Sequence, residues 1–477
     1  MTIAFPKPDE AVLARRREIV EGLGRLVASE ALIVSEDERR AFETDGLTAY
    51  RQMPLAVVLP STTEEVSTVL RFCHEHGVKV VPRGAGTSLC GGAIPQADAI
   101  VLGVAKMNRV LDVNFESRTA RVQSGITNLG ISQAVAHEGF FYAPDPSSQL
   151  ACTIAGNIAM NSGGAHCLKY GVTTNNLLGV TMVLLDGTVV EIGGEHLDAA
   201  GYDILGLVCG SEGQLGVVTE AVVRILRAAE GARPALFGFE RVEDAGACVA
   251  AIIGAGIIPV ALEYMDKPAI QICEAFAHAG YPLDVEAMLI VEVEGSDQEI
   301  DDMLRRIVTI AEPFKPKTMK VSQSEAESAA IWKGRKSAFG ATGRVADYIC
   351  MDGTIPTGQL PYVLNRIDEI VKSYGLGVAN VFHAGDGNLH PLVMFNTNVP
   401  GEMEKAEKAG EDILKLCVEV GGCLTGEHGV GIEKRDLMTY QFNAKDLEQQ
   451  MRVRGVFDPL WLLNPAKVFP LEGRFAA

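Results

Sequence analysis

Positive charge is scarce in this 477-residue chain: 42 Lys and Arg stand against 61 Asp and Glu, a formal net charge of −19. A surface this acidic repels phosphate backbones and anionic membrane faces, which argues against nucleic-acid and lipid-surface roles. An anionic substrate would need a local basic pocket. No two of the ten cysteines are spaced as CxxC, so zinc-ribbon and iron–sulfur spacings are missing. Ten cysteines in a chain this long read as reduced, buried thiols of a cytoplasmic protein, not as a disulfide framework. The first ten residues lack the basic-then-apolar order of a signal peptide. Long uncharged apolar runs are also scarce. Residues 245–262 reach membrane-spanning length, but Gly246, Gly254, Gly256 and Pro259 interrupt them. They read as a helix, a Gly-Ala-Gly turn and a strand near 259–264, so no transmembrane segment is expected. Apolar residues make up 47% and charged residues 22%, a globular balance that suits two or three domains at this length.

Glycine is plentiful, with 50 residues, and clustered. Around the clusters the pattern alternates. An apolar stripe of Val12, Leu13, Ile19, Val20, Leu23 and Leu26 predicts a helix over 10–30. Residues 56–59 form a short strand. Ser61 or Thr62 caps a helix that runs to His76 and stops at Gly77. Further strands are expected at 78–81, 99–103, 110–113 and 119–123, and Thr127 caps a helix reaching Gly139. Asp186-Gly187 turns a hairpin between 180–184 and 189–192, and 215–225 is another strand. From about 235 to 420, strands alternate with helices near 243–254, 298–312, 323–343, 357–374 and 401–420. That pattern predicts an antiparallel sheet with helices on one face. The expected α+β divisions are a helical segment 1–50, a glycine-loop domain 51–229, a cap domain 230–420 and a C-terminal segment 421–477.

Three glycine-rich strings follow or enter strands: PRGAGTSLCGG at 82–92, PDPSSQLACTIAGNIAMNSGG at 144–164, and GSEGQLGVVTE at 210–220. Closely spaced glycines at a strand end present consecutive backbone N–H groups and let a diphosphate approach closely. The first string lacks the third glycine of the Rossmann fingerprint, since position 89 is Leu, and it has no Gly-Lys-Ser/Thr of a Walker loop. Three such loops between short strands suit an extended dinucleotide held in another way.

A second signal lies at 381–392, VFHAGDGNLHPL. If Asp386-Gly387 is a two-residue hairpin turn, His383 and His390 stand directly opposite on one face, and two imidazoles so placed can share a divalent metal. The string TGEHGVG at 425–431 offers an acid and a base side by side. Two histidines and a carboxylate with open positions polarise a substrate oxygen. Glu427 can complete that set, and His428, pointing the other way, is a natural base.

The glycine strings resemble the FAD-binding domain of the vanillyl-alcohol oxidase / p-cresol methylhydroxylase family. The pair HAGDGNLHP and GEHGVG resembles the signature of FAD-dependent 2-hydroxy-acid dehydrogenases, in particular the group of the glycolate oxidase flavin subunit and cytochrome-linked D-lactate dehydrogenase. The likeness runs over roughly residues 50–470. It implies a two-subdomain FAD-binding domain, a substrate cap, and a C-terminal segment, including Asn464 in LNPAKVF, that returns beside the flavin. The diphosphate is then expected on Arg83, Gly84, Ala85, Gly86, Thr87 and Ser88. The isoalloxazine is expected near Asp145, Thr153, Gly156, Asn157, Asn161 and Gly164, with Glu212, Gly216 and Val217 completing the site. No His lies in 77–136, so non-covalent FAD is expected, with Cys152 and Cys167 as the alternative anchors.

The resemblance further implies a divalent metal (Zn, Mn or Fe) on His383, His390 and Glu427, with His428 as the base. Arg335, in the basic run 331–336, is implied to hold the substrate carboxylate. Relatives acting on 2-hydroxyglutarate tend to have Thr four residues after this Arg; Phe339 stands here and favours a small acid such as glycolate or D-lactate. The implied reaction is oxidation to the 2-oxo acid by hydride transfer to flavin N5, with D-2-hydroxyglutarate or a longer acid as the alternative substrate. Electrons must leave to an external acceptor: oxygen, a quinone-linked carrier, or further oxidase subunits including an iron–sulfur subunit. Peripheral placement at the inner membrane through such subunits, and a homodimer, are compatible with the sequence. Three readings compete: a metal hydrolase with structural glycine loops, an NADPH-using UDP-sugar reductase of related fold, and a non-catalytic flavin-binding subunit. The intact His and Glu set disfavours the last two, and a yellow protein would exclude the first.

Overall fold

The computed structural model describes residues 3–196 and 201–471. By contact the chain divides into two units. One comprises Ile3–Gly163, Gly171–Ala228 and the chain from Glu427 onward; the other comprises Gly164–Tyr170 and Ala229–Gly426.

The first unit contains two principal sheets. Strands β1 (Leu32–Ile33), β2 (Ala56–Val58), β3 (Lys79–Arg83) and β4 (Ala99–Gly103) lie in the order β1-β2-β4-β3, with β2 and β3 parallel to β4. The crossover between β2 and β3 is helix α1 (Thr63–His76). Thr62 Oγ1 accepts the Glu65 N–H at its start, and Gly77, at φ +64°, ends it, as expected from the sequence. Its stripe of Val66, Val69, Leu70 and Cys73 packs with Val58, Val80, Ile100 and Leu102. Each such Val or Leu contributes about 1.5–3 kcal/mol by leaving water. Strands β5 (Val110–Asn114), β6 (Thr119–Gln123), β7 (Leu177–Val183), β8 (Val189–Gly193) and β9 (Val217–Arg224) form an antiparallel sheet ordered β5-β6-β9-β7-β8. The β7–β8 hairpin turns at Asp186-Gly187, with Gly187 at φ +85°. The chain end returns here: Leu463 bridges Val80 in parallel, and the Asn464 N–H donates to the Val80 carbonyl at 2.7 Å.

The expected helix 10–30 is instead two pieces, Glu10–Ala14 and Arg16–Leu23. Arg15 and Arg16 reach out to the His76 and Leu55 carbonyls. Gly22 and Gly24, poor helix formers, bring the second piece to its end.

The second unit is built on one seven-stranded antiparallel sheet. Its strands are β10 (Gly231–Phe239), β11 (Ala261–Asp266), β12 (Ala287–Gly295), β13 (Thr318–Val321), β14 (Asp347–Cys350), β15 (Gly377–His383) and β16 (Pro391–Phe395), ordered β13-β10-β12-β11-β15-β16-β14. Helices are expected on one face, but the structure has two separate sets. Val242–Gly254, Asp297–Ala311, Leu360–Ser373 and Glu402–Glu419 pack among themselves. So do Lys267–Ala277, Glu325–Lys336 and Ala338–Thr342. Strand β11 is buried at every position, as a strand covered on both sides must be. Helix Lys267–Ala277 escaped the sequence reading; Asp266 caps it by accepting the Ala269 N–H, and a proline stands in its first turn. The single helix expected over 323–343 breaks at Ser337. Residues 245–262 resolve into helix, turn and strand as read, and among the described residues no helix is long and apolar enough to cross a membrane.

Candidate active site

In the sheet unit, polar side chains converge on one face. Residues Glu263 and Met265 of β11 pair across to His383 and Val381 of β15. Glu263 is fully buried in an otherwise apolar run. Its Oε1 lies 2.7 Å from His383 Nδ1, and its Oε2 accepts from Arg335 Nε at 2.8 Å and Nη2 at 2.7 Å. Burial, the largest single influence on this carboxyl, pushes its pKa up; His383 and Arg335 together more than offset that, and the net direction is down. With a carboxylate oxygen 2.7 Å away, Nδ1 is the His383 ring nitrogen placed to donate to Glu263.

The hairpin carrying the two histidines differs from expectation. A four-residue turn over 384–387 replaces the two-residue one, so His383 bridges Asn388 and not His390. The register is displaced by two. An even displacement keeps the same face, since side chains alternate with period two. His383 and His390 are therefore diagonal neighbours, their rings 5.2 Å apart between centroids and edge-to-face. His390 Nε2 lies 3.5 Å from Asp352 Oδ1. Asp352, fully buried, also accepts from Asn388 Nδ2 at 3.0 Å, the Gly426 N–H at 3.0 Å and the Thr425 hydroxyl. It thereby anchors the segment from which the chain runs directly into Glu427 and His428. His383 thus has a buried carboxylate on Nδ1 at 2.7 Å, and His390 has another 3.5 Å from Nε2. The sequence reading missed both acids. A lone Glu inside the apolar stretch VALEYMD was the one signal for Glu263.

In the other unit, β3 ends at Arg83, whose Nη1 donates to the Thr44 carbonyl at 2.8 Å. Gly86 follows at φ +74°, which suits glycine. A Cβ on Gly84 would lie 2.3 Å from Thr153 Oγ1, whereas one on Gly156 would meet nothing within 4 Å. Asn157 Oδ1 accepts from Asn128 Nδ2, and Asn161, at φ +54°, ends helix Ile154–Met160 and accepts the Thr174 N–H. The neighbouring Cys152 is buried, and burial pushes its thiol up, away from the thiolate form.

The GEHGVG loop is held from beneath. Glu212 Oε1 accepts the Val430 N–H at 2.6 Å, and Oε2 accepts the Gly431 N–H at 2.8 Å. Cys90 Sγ lies 3.1 Å from the His428 carbonyl, and the Cys90 carbonyl accepts from Ile432 and Glu433. Asn464 Nδ2 donates to the carbonyls of Gly92 and Glu212. The carboxylate of Glu212 is thus engaged with the loop backbone. Gly216 is a close-packing position, since a Cβ there would lie 2.6 Å from Met182 Sδ, and Val217 belongs to the apolar core. Gly164 groups by contact with the sheet unit.

Two family models match. Residues 54–193 match the FAD binding domain, and residues 229–468 match the C-terminal domain of FAD linked oxidases. The chain is 48% identical to glycolate oxidase subunit GlcD of Escherichia coli (strain K12), over 99% of this chain and 94% of that protein. The chain belongs to the FAD-linked oxidase family. It is also 32% identical to D-lactate dehydrogenase of Archaeoglobus fulgidus, over 91% of this chain and 95% of that one. Among solved structures, p-cresol methylhydroxylase with substrate bound superposes with a TM-score of 0.82 over 98% of this chain and 99% of that one, at 14% identity, a likeness of fold.

As an FAD-linked oxidase, the protein is an FAD-dependent oxidoreductase, and the glycine-loop unit fits that cofactor. Ser124 Oγ, Thr153 Oγ1 and Asn464 Oδ1 are buried without a hydrogen-bond partner among the described residues. Such atoms are costly unless a ligand or water satisfies them. The sheet unit fits a divalent ion by its donors: two imidazoles side by side, with His383 backed by the Glu263 carboxylate as metal-binding histidines usually are.

Proposed function

We propose that this FAD-linked oxidase converts a small D-2-hydroxy acid, glycolate or D-lactate, into its 2-oxo acid and passes the electrons to an external acceptor. Extensive identity with the glycolate oxidase subunit and with D-lactate dehydrogenase supports the substrate class. The observation that carries the reading is the shared carboxylate of Glu263. It binds His383 on one oxygen and Arg335 on the other, setting a metal-type imidazole beside a carboxylate-binding guanidinium.

When bound, FAD supplies the acceptor for the α-hydrogen, and a divalent ion (Zn, Mn or Fe) supplies a Lewis acid that lowers the pKa of the alcohol. His383, His390 and Glu427 are the residues proposed to hold the ion. The Arg335 guanidinium, with Nε and Nη2 on Glu263, retains Nη1 for the substrate carboxylate. His428, on the backbone held by Glu212 and Cys90, takes the hydroxyl proton as general base. Arg83 to Ser88 hold the cofactor diphosphate, and Asp145, Thr153, Gly156 and Asn157 approach its ring. Phe339 in place of a polar residue supports a small monocarboxylate. The acceptor is external, because this chain carries no CxxC pair of its own: oxygen, a quinone-linked carrier, or further oxidase subunits including an iron–sulfur subunit. The enzyme then works in the cytoplasm or at the inner membrane face through those subunits.

The test is anaerobic mixing of the yellow protein with glycolate, D- and L-lactate, and D-2-hydroxyglutarate. Glycolate or D-lactate should bleach the flavin, and His428→Ala should keep its FAD and lose the bleaching. Bleaching by none of these acids, or unaltered bleaching in His428→Ala, refutes the reading.

A further inference from the structure

We infer that Glu263 is a positioning residue that sets the tautomer and direction of the metal-binding His383 and, through its other oxygen, the placement of Arg335. The inference rests on the metal-assisted reading above and extends it to a residue outside the proposed ligand set.

A fully buried carboxylate in an apolar strand is expensive, and it persists only where its partners satisfy it. Glu263 has such partners on both oxygens. Its strand register puts it directly opposite His383, so the contact follows from backbone pairing and not from a long, flexible reach. Lying 2.7 Å from Nδ1, it gives that ring nitrogen an acceptor and turns Nε2 to the opposite side of the ring, the arrangement in which a histidine binds metal. Arg335 arrives from helix Glu325–Lys336 and places two N–H groups on the second oxygen. One rigid carboxylate therefore fixes two groups from separate elements in a single mutual geometry. A salt bridge serving stability alone would need only Arg335; the second bond, to His383, is what links Glu263 to the ion.

The experiment uses the FAD-loaded protein, stripped of metal with a chelator and titrated with Zn2+ against a fluorescent competitor. Glu263→Gln keeps the shape but removes the charge. It should bind Zn2+ about 10–100-fold more weakly than the unaltered protein and show a raised KM for glycolate, with the flavin spectrum preserved. Because Arg335 would be left with an unpaired buried charge, the variant can fail to fold. Glu263→Gln combined with Arg335→Met restores the charge balance and is then read for Zn2+ affinity by the same criterion. An affinity within about twofold of the unaltered protein, even with a lowered melting temperature, overturns the inference and leaves the metal reading standing. If the unaltered protein itself takes up none of Zn2+, Mn2+ and Fe2+, the metal reading falls and the inference falls with it.

Discussion

Replacing Glu212 by Gln should loosen the loop that carries His428, and the size of the effect follows from the contacts. Glu212 is 4% exposed, its backbone sits in the left-handed region at φ +53°, and each carboxylate oxygen accepts one loop N–H, from Val430 and Gly431. A glutamine presents one oxygen and one NH2. One loop N–H therefore loses its acceptor and faces a donor. Hydrogen bonds to charged groups contribute about 1.5–3 kcal/mol, and an orphaned buried N–H costs about 1–3 kcal/mol. Allowing for partial relaxation, the loop should open more easily by about 2–4 kcal/mol. At about 1.4 kcal/mol per tenfold, hydrogen exchange at the Val430 and Gly431 amides should quicken from about 30-fold to about 700-fold. Exchange measured by mass spectrometry on flavin-free protein reads this directly, without assuming that a 477-residue chain unfolds in one step. In the loaded enzyme, turnover should fall while FAD stays bound. Protection of those amides within about threefold of the unaltered protein would show that Glu212 does not hold the loop, and the argument for it would be wrong.

Three further outcomes are expected. Burial pushes Lys467 down from 10.5 to about 7. The unfolded chain therefore binds the extra proton between those values, and the stability of the flavin-free protein should gain from this residue as pH rises from about 7 towards 10; a melting-temperature series that Lys467→Met leaves unaltered in slope contradicts this. Gly84→Ala places a Cβ 2.3 Å from Thr153 Oγ1, an overpacking that should cost about 1–3 kcal/mol and weaken FAD binding by about 5- to 150-fold, and an unchanged flavin titration would exclude the proposed cradle. Dialysis against a chelator should abolish turnover while leaving the flavin absorbance, with recovery on adding Zn2+ or Mn2+; turnover that survives the chelator removes the metal from the reaction.

Local chemistry settles a good deal of this molecule from the sequence alone. Thr62 and Gly77 bound their helix because a hydroxyl cap and a left-handed stop act within one turn of chain. Asp186-Gly187 turns its hairpin for the same reason. The glycine strings and the two-histidine string carry their chemistry within a few residues, and the family could be read from them. Tertiary structure decided the rest. The four-residue turn moved His383 opposite Asn388, yet the pair stayed on one face because alternation survives an even displacement. Glu263 meets Arg335 across 72 positions and His383 across 120, and Glu212 meets Val430 across 218. A carboxylate in an apolar strand, or in a glycine loop, has no local signature of its partner. Its role exists only once pairing and packing bring distant donors to it and exclude the water that would otherwise take their place.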